Sequence, residues 1–270
     1  MCRWIAWSGA PRFLEELISV PEHSLIRQSR QALAAKTPVN ADGFGIAWYG
    51  FRPEPCLYKD IHPAWSDPNL QQLAHHARAS LFMAHVRAST GAATTYNNSH
   101  PFAHGRWAFM HTGQVGGYDR LRKTIDGMIP DELYGNRRGA TDSEALFLIA
   151  LGLGLAEDPV GAMAQAVFRL EEMARRLGAL PHMRFAACWT DGSRLFAGRY
   201  ASDPLAPSVY YRNGLDGVTV VSEPLDDCLD DWTELPQGSL LIVEGEPRRI
   251  VIRPFGQAPD ARVVGSSCAA

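Results

Sequence analysis

Two helical segments in the middle of the chain, with strand-like segments on both sides, constrain the fold most. The run Thr141-Asp142-Ser143-Glu144 precedes an apolar stretch and fits a capping box, in which Thr and Glu satisfy each other's backbone N–H groups; it predicts a helix to about Leu155. Apolar residues at helical spacing over 160–177 predict a second helix that ends near Gly178. Because each helix needs a surface on which to bury its apolar face, the two predict one helical layer on a sheet.

Short strand-like segments precede and follow this helical pair. The Asp191-Gly192 and Asn213-Gly214 steps among them supply the positive φ angles that tight hairpins require. This order predicts an α+β architecture of helices on stacked antiparallel sheets. No repeat or low-complexity linker interrupts the chain, so residues 1–270 are predicted to form a single domain. The predicted strands are 2–7, 43–49, 81–86, 107–110, 185–190, 194–200, 209–211, 218–222, 240–243 and 250–252.

Charge and hydropathy exclude several classes of protein. The 26 Lys and Arg residues against 29 Asp and Glu give a net charge of -3, which lacks the basic footprint of a nucleic-acid binder. Residues 1–20 contain four charged side chains and no apolar core of a signal peptide. The longest apolar stretch, residues 145–156, is too short to cross a membrane. We therefore expect a cytoplasmic protein without a membrane contact.

The cysteines and histidines do not form a metal motif. The five cysteines are odd in number and contain no C-x-x-C pair, which argues against both a disulfide framework and structural zinc. Six histidines fall within residues 75–111, but without H-E-x-x-H spacing or a neighbouring carboxylate. A P-loop, a G-x-G-x-x-G turn and a G-x-S-x-G elbow are also missing. We expect neither a metal nor a cofactor.

Cys2 is the first candidate for chemistry. Removal of Met1 would leave a free amine on the same residue as the thiol. An α-amino group has a pKa of about 7.7–8.0, so this one residue could supply both a nucleophile and its base. Taken alone, Cys2 is equally an ordinary second residue, since a lone cysteine is no motif.

Four further segments carry candidate binding groups. Arg87, at the end of an apolar strand, could clamp a carboxylate with Ser89 and Thr90 completing the cage, although it could equally pair with a surface acid. Thr112 and Gly113 follow a buried strand, where a backbone N–H could face an oxyanion or simply form a turn. Asp142, at the start of a predicted helix, could bind a substrate ammonium or merely interact with the helix dipole. His100 lies in the polar NNSHPF loop.

Taken in order, these segments resemble the class II (Ntn-type) glutamine amidotransferases, most closely the compact YafJ-like branch. The resemblance spans the chain to about Gly245. It rests on residues 2–4, 21–29, 40–49, 63–67, 85–90, 98–102, 111–113 and 141–144, each weak alone and strong in combination.

The resemblance implies a four-layer αββα sandwich of the N-terminal-nucleophile hydrolase type. It also implies that Cys2 is the nucleophile and that the Gly113 N–H is one arm of an oxyanion hole. Arg87 would hold the substrate α-carboxylate, and Asp142 would hold its α-amino group. His100 matches a histidine near the glutamine pocket. One departure matters, because Thr112 stands where the family has an asparagine as second oxyanion donor. Loss of such a donor typically slows turnover by about 100- to 1,000-fold.

These implications predict cleavage of a γ-glutamyl amide through a thioester, with release of ammonia or another amine. A partner that accepts the ammonia, hydrolysis of a glutathione-like or ergothioneine-pathway substrate, and a homodimer are all compatible with the sequence. The alternative from another class is a γ-glutamyl-binding or regulatory protein that has lost efficient catalysis through Thr112.

Overall fold

The backbone forms two seven-stranded antiparallel sheets, described here from a computed structural model over residues 2–34, 38–89, 91–256 and 262–263. The first sheet has the strand order β11-β9-β10-β1-β4-β2-β3, and the second β14-β13-β12-β8-β7-β6-β5. The strands are β1 (Arg3–Phe13), β2 (Phe44–Trp48), β3 (Cys56–Asp60), β4 (Arg78–Val86), β5 (Phe102–His104), β6 (Trp107–Val115), β7 (Met183–Thr190), β8 (Leu195–Ala201), β9 (Tyr210–Gly214), β10 (Gly217–Val221), β11 (Thr233–Glu234), β12 (Ser239–Glu244), β13 (Arg249–Pro254) and β14 (Arg262–Val263).

Helices cover the outer faces of both sheets. The apolar faces of α1, α2 and α3 pack on the first sheet, and those of α6 and α7 on the second. Side chains that point inward from both sheets, Trp4 and Met83 from the first and Met110 and Cys188 from the second, form a third core between them. The helices are α1 (Glu15–Ile18), α2 (Leu25–Arg30), α3 (Pro68–His76), α4 (Tyr118–Asp126), α5 (Asp131–Tyr134), α6 (Asp142–Gly152) and α7 (Pro159–Leu177).

The alternation along β4 shows how the layers arise from sequence. Phe82, Ala84 and Val86 contact the helices of the first sheet, whereas Met83 lies in the core between the sheets. Successive side chains of a strand point to opposite faces, so a strand buried on both faces is apolar throughout. The predicted four-layer α+β sandwich is confirmed.

The central helical pair is confirmed with one change in its cap. The Thr141 hydroxyl accepts from the Glu144 N–H at 3.2 Å, but the Glu144 carboxylate does not return to Thr141. It binds instead the Gly139 N–H at 2.8 Å and the Arg137 guanidinium at 2.6 Å. Gly178 ends α7 in the left-handed conformation, with φ of 73°, as the sequence predicts.

The predicted turn at Asn213-Gly214 is wrong by two residues. Both belong to β9, and Gly214 pairs with Gly217 across a turn formed by Leu215 and Asp216. The close approach of β1 explains the shift, because a Cβ at Gly217 would lie 2.5 Å from the Gly9 Cα. The structure also contains helices α1 to α4 in the first half of the chain, where the sequence analysis predicted only strands.

Candidate active site

Cys2 lies where the first strand begins, against the chain that leaves β4. The Ala88 N–H donates to the Cys2 Sγ at 3.4 Å, and the Ala88 carbonyl oxygen is 3.5 Å from the same sulfur. Burial raises the pKa of the Cys2 thiol above its ordinary value, while the Ala88 backbone hydrogen bond and the Arg87 charge oppose that shift. The thiol therefore needs a nearby base to become a thiolate at neutral pH.

A buried ion pair fixes the residue after Cys2. The Arg3 Nε lies 3.0 Å from a Glu223 carboxylate oxygen, and the side chains are 1% and 5% exposed. Arg3 also donates to the Ala34 carbonyl at 2.8 Å, and Glu223 accepts from the Leu33 N–H at 2.8 Å. Sequence reasoning missed this pair, because its members are far apart in the chain. The pair holds the start of β1 beside the segment that precedes β2.

Arg87 is buried and surrounded by neutral acceptors. Its guanidinium donates to the carbonyls of Ala92 at 3.1 Å and Ala93 at 3.3 Å, and to the Ser89 hydroxyl at 3.1 Å. Within residues 2–34, 38–89 and 91–256, no carboxylate oxygen lies within ion-pair distance of it, so the surface-acid alternative is wrong. Burial lowers the Arg87 pKa, which the Cys2 and Asp42 charges partly offset. A buried cation without a counter-ion favours binding of an anion.

Asp42 shapes the loop around Arg87, a role that the sequence analysis did not assign to it. Its Oδ2 accepts from the Ser89 N–H at 2.7 Å. Its backbone N–H donates to the Arg87 carbonyl at 3.0 Å, and its own carbonyl accepts from the Arg87 guanidinium at 3.4 Å. These three bonds set the course of the chain from Arg87 past Ala88, where it meets Cys2. Thr90 lies outside the described residues.

Thr112 and Gly113 lie on the facing sheet, in the last part of β6. The Thr112 hydroxyl donates to the Cys2 carbonyl at 3.3 Å. Gly113 pairs with Phe185 of β7, and a Cβ there would lie 1.9 Å from the Arg184 carbonyl oxygen and 2.5 Å from the His111 Nε2. Only glycine fits where the β6 and β7 backbones lie this close together. The Gly113 peptide therefore belongs to strand β6 and not to a turn.

We expect Gly113→Ala to lower the free energy of unfolding by about 1–3 kcal/mol, as over-packing at a closed site usually does. The Cβ must push the β7 backbone away from β6. Urea denaturation followed by circular dichroism measures the change. Gly50→Ala is the matched control, because nothing lies within 4 Å of its Cβ, and its effect should stay within about 0.5 kcal/mol. Equal urea midpoints for the two variants would contradict the packing argument.

Asp142 is the first residue of α6 and reaches across to β6. Its Oδ2 accepts from the Val115 N–H at 2.8 Å, and its Oδ1 from the Ser143 N–H at 2.8 Å. The carboxylate is thereby held at the end of the strand that carries Gly113. The Oδ1 also accepts from the Ser143 hydroxyl at 3.3 Å, whereas the Oδ2 retains a lone pair for a further donor. Helix capping and a substrate contact are thus compatible at this residue.

His100 lies against a row of aligned residues in the first sheet. Pairing across the first sheet aligns Trp4 with His85, His85 with Gly45, and Gly45 with Lys59. The His100 backbone covers Gly45, where a Cβ would lie 2.2 Å from the His100 carbonyl oxygen. The rings of His85 and His100 are 4.3 Å apart, centroid to centroid.

Both imidazoles of this row are neutral. Burial lowers the pKa of His85 to about 3 and that of His100 well below its ordinary value. Neither ring nitrogen of either residue has a hydrogen-bond partner among the described residues. The described residues also contain no group of three or more His, Cys, Asp or Glu side chains arranged to hold a metal ion.

The site therefore combines the ends of two strands from different sheets. Cys2 contacts Ala88, next to Arg87, through its sulfur, and Thr112, next to Gly113, through its carbonyl. Asp142 adjoins the same strand as Gly113. Of the residues predicted from sequence, Thr112 contacts Cys2 directly, and Arg87 and Gly113 are chain neighbours of residues that do. In the part of the chain that the structure describes, no helix is both long and apolar enough to span a membrane.

Cys2 directly precedes a central strand of one of two stacked antiparallel sheets, which are covered by helices on their outer faces. The family model of class II glutamine amidotransferases matches residues 23–209. The chain belongs to this family of amide-cleaving enzymes.

Three relatives agree with this assignment. The chain is 31% identical to the probable glutamine amidotransferase DUG3 of Saccharomyces cerevisiae, over 94% of this chain and 84% of that protein. It is 31% identical to the gamma-glutamyl-hercynylcysteine sulfoxide hydrolase of Mycolicibacterium smegmatis, over 94% of this chain and all of that one. A solved class II glutamine amidotransferase domain protein from Silicibacter pomeroyi superposes with a TM-score of 0.75 at 45% identity, covering 95% of this chain and 100% of the other.

Proposed function

We propose that this protein hydrolyses γ-glutamyl amides with Cys2 as an N-terminal nucleophile. The observation that carries the proposal is the position of Cys2 between two strand ends. Its sulfur touches Ala88 beside the unpaired Arg87 cation, and its carbonyl touches Thr112 beside Gly113. A carbonyl carbon placed at this sulfur would have a cation on one side and the Gly113 peptide on the other, which is the arrangement that acyl transfer needs.

The reaction starts when Met1 has been removed and the Cys2 amine is free. The amine accepts the thiol proton, and the thiolate attacks the γ-carbonyl carbon to form a tetrahedral oxyanion. The Gly113 N–H donates to that oxyanion. The carbon–nitrogen bond then breaks, and the leaving amine takes the proton from the Cys2 ammonium. Water attacks the resulting thioester and releases glutamate and the thiol.

The remaining residues hold the glutamyl group. Arg87 binds the α-carboxylate through its guanidinium fork, and Asp142 accepts from the α-ammonium. Because the carbonyls of Ala92 and Ala93 occupy Arg87 donors, the substrate carboxylate has to displace them. His100, held neutral by burial, is part of the floor under the glutamyl chain.

Two kinds of substrate are compatible with this site. Glutamine would release ammonia, which a partner protein would then use in the cytoplasm. A γ-glutamyl compound would release a larger amine without a partner, and the relative named for hydrolysis of gamma-glutamyl-hercynylcysteine sulfoxide supports this option. Measuring glutamate release from glutamine and from glutathione separates the two.

The same assay tests the unusual Thr112. Its hydroxyl is bound to the Cys2 carbonyl, which leaves the oxyanion with one donor, the Gly113 N–H. We expect Thr112→Asn to raise kcat by about 10- to 100-fold, because one added oxyanion donor is worth up to about 100- to 1,000-fold. A Thr112→Val variant serves as the control and should not gain activity.

Two results would contradict this account. An equal or lower kcat in Thr112→Asn would show that the threonine hydroxyl serves catalysis at least as well as an asparagine amide does. Absence of glutamate release from either substrate by both the natural protein and Thr112→Asn, with glutamine still bound, would favour a binding or regulatory protein.

A further inference from the structure

A cavity of about 280 Å³ lies at the open edge between the two sheets. The edge strands β3 and β5 form its sides, through Lys59 and Phe102, and α6 closes it through Glu144. Tyr96 and Asn97 of the loop after Arg87 line it as well, as does Arg138 from the segment before α6. Its lining does not include Cys2, Arg87, Gly113 or Asp142.

We infer that this cavity binds a small anion, a carboxylate or a phosphate, and that its occupancy is coupled to the loop that holds Arg87.

The first argument is the charge of the lining. The Lys59 ammonium donates to the Ser99 carbonyl at 2.7 Å and lies 5.2 Å above the Phe102 ring. Burial lowers its pKa to about 8, so it is still mostly protonated at pH 7. Within the described ranges, no carboxylate lies within ion-pair distance of Lys59 or of the Arg138 guanidinium, which is exposed. Two cations without counter-ions therefore face one cavity.

The Glu144 charge acts on Lys59, but its carboxylate is paired elsewhere and offsets only part of the positive charge. Its carboxylate is bound by Arg137 at 2.6 Å and by the backbone N–H groups of Arg138 at 3.2 Å and Gly139 at 2.8 Å. The other lining residues are neutral at pH 7, namely Leu57, Tyr96, Asn97, Phe102, Ala103, Asn136, Phe147 and Leu148. The net charge that faces the cavity is positive, and the asparagine amides add hydrogen-bond donors.

The second argument is the shared loop. Ala92 and Ala93 accept from the Arg87 guanidinium, and Tyr96 and Asn97 lie in the cavity a few residues later. Asn98 joins the two regions, since its Nδ2 donates to the Ala93 carbonyl at 2.8 Å and its Oδ1 accepts from the Ala140 N–H at 2.7 Å. An anion that orders Tyr96 and Asn97 would thus stabilise one arrangement of the acceptors around Arg87.

Isothermal titration calorimetry at pH 7 with succinate, and separately with inorganic phosphate, tests the site. We expect saturable binding of at least one probe, and the stronger one identifies the anion class. Lys59→Met and Arg138→Gln should each weaken it by about 10-fold or more, because each removes a charge-assisted hydrogen bond. The matched control is Arg169→Gln, an equal change of charge at an exposed position of α7, and it should bind as the natural protein does.

Arg87→Gln distinguishes this cavity from the proposed glutamyl site, independently of any catalytic activity. It should retain probe binding. Loss of binding in Arg87→Gln with full binding in Arg138→Gln would assign the heat to the glutamyl site and overturn the inference. So would absence of saturable binding by either probe, or equal weakening in Arg138→Gln and Arg169→Gln.

Hydrogen exchange tests the coupling. A saturating probe should slow amide exchange in peptides that cover residues 91–98 of the natural protein, but not in Arg138→Gln. Unchanged exchange in these peptides, with the probe bound, would overturn the coupling.

Discussion

Replacement of Cys2 by alanine is expected to lower kcat for glutamate release by at least about 1,000-fold, because the proposed mechanism has no second nucleophile. The sulfur hydrogen-bonds to the Ala88 backbone, and the smaller side chain should leave the fold intact. The measurement is glutamate release from the better of glutamine and glutathione, with circular dichroism to verify folding. Cys56→Ala, at an exposed thiol, is the control and should retain full activity.

Covalent labelling separates the nucleophile from a merely structural cysteine. A glutamine-like electrophile should modify Cys2 in protein that has lost Met1, and intact mass spectrometry reports both events. Protein that retains Met1 should not react at a comparable rate, because its amine is acylated. Label on Cys56 or Cys188, or substantial turnover by Cys2→Ala, would refute the assignment.

Replacement of Arg87 by methionine is expected to lower kcat/KM by about 100- to 1,000-fold, mainly through KM, since loss of one partner of a buried charge pair costs about 2–5 kcal/mol. The methionine keeps much of the buried stem but removes the donors for the substrate α-carboxylate. Steady-state kinetics on a γ-glutamyl substrate measures the effect. A substrate analogue with its α-carboxylate amidated should show little difference between Arg87→Met and the natural protein.

Arg87→Lys is the informative companion variant. It keeps the charge but loses the planar fork, so it should recover only part of the lost kcat/KM. Equal kcat/KM for the natural enzyme and Arg87→Met would place the carboxylate elsewhere. A fall confined to kcat would indicate instead that Arg87 acts on Cys2, whose thiol pKa it helps to lower.

The parts of the fold that sequence predicted are those set by local rules. The cap at Thr141 and the left-handed Gly178 are dictated by neighbouring residues, and both were found. The apolar runs of β4 and β6 predicted buried strands because side chains on both faces are covered. The short helices α1 and α2 have four and six residues, too few for a helical period to stand out.

The turn after β9 shows where local rules fail. Asn213-Gly214 has strong turn chemistry, but tight packing of Gly9 against Gly217 sets the register of β10 on β1 and moves the turn to the next two residues. Tertiary packing overrides turn propensity in such cases. Sequence alone cannot supply that register.

The residues of the candidate site also fall into two groups, those that local sequence predicted and those that it did not. Cys2, Arg87, Gly113 and Asp142 were predicted because ordered motifs carry them, and the structure brings their neighbourhoods together. Asp42 and Glu223 were missed because their partners, Ser89 and Arg3, are distant in sequence. An acidic residue that binds a backbone N–H or a buried arginine has no local signature.

The central place of β1 in its sheet has a consequence for the newly made chain. Its two neighbours are β4 and β10, and Arg3 is held by Glu223. During synthesis, β1 therefore cannot complete its pairing until most of the chain has left the ribosome. Until then the start of β1 is not held from both sides, and the late assembly of this strand leaves time for the removal of Met1 that the proposed mechanism requires.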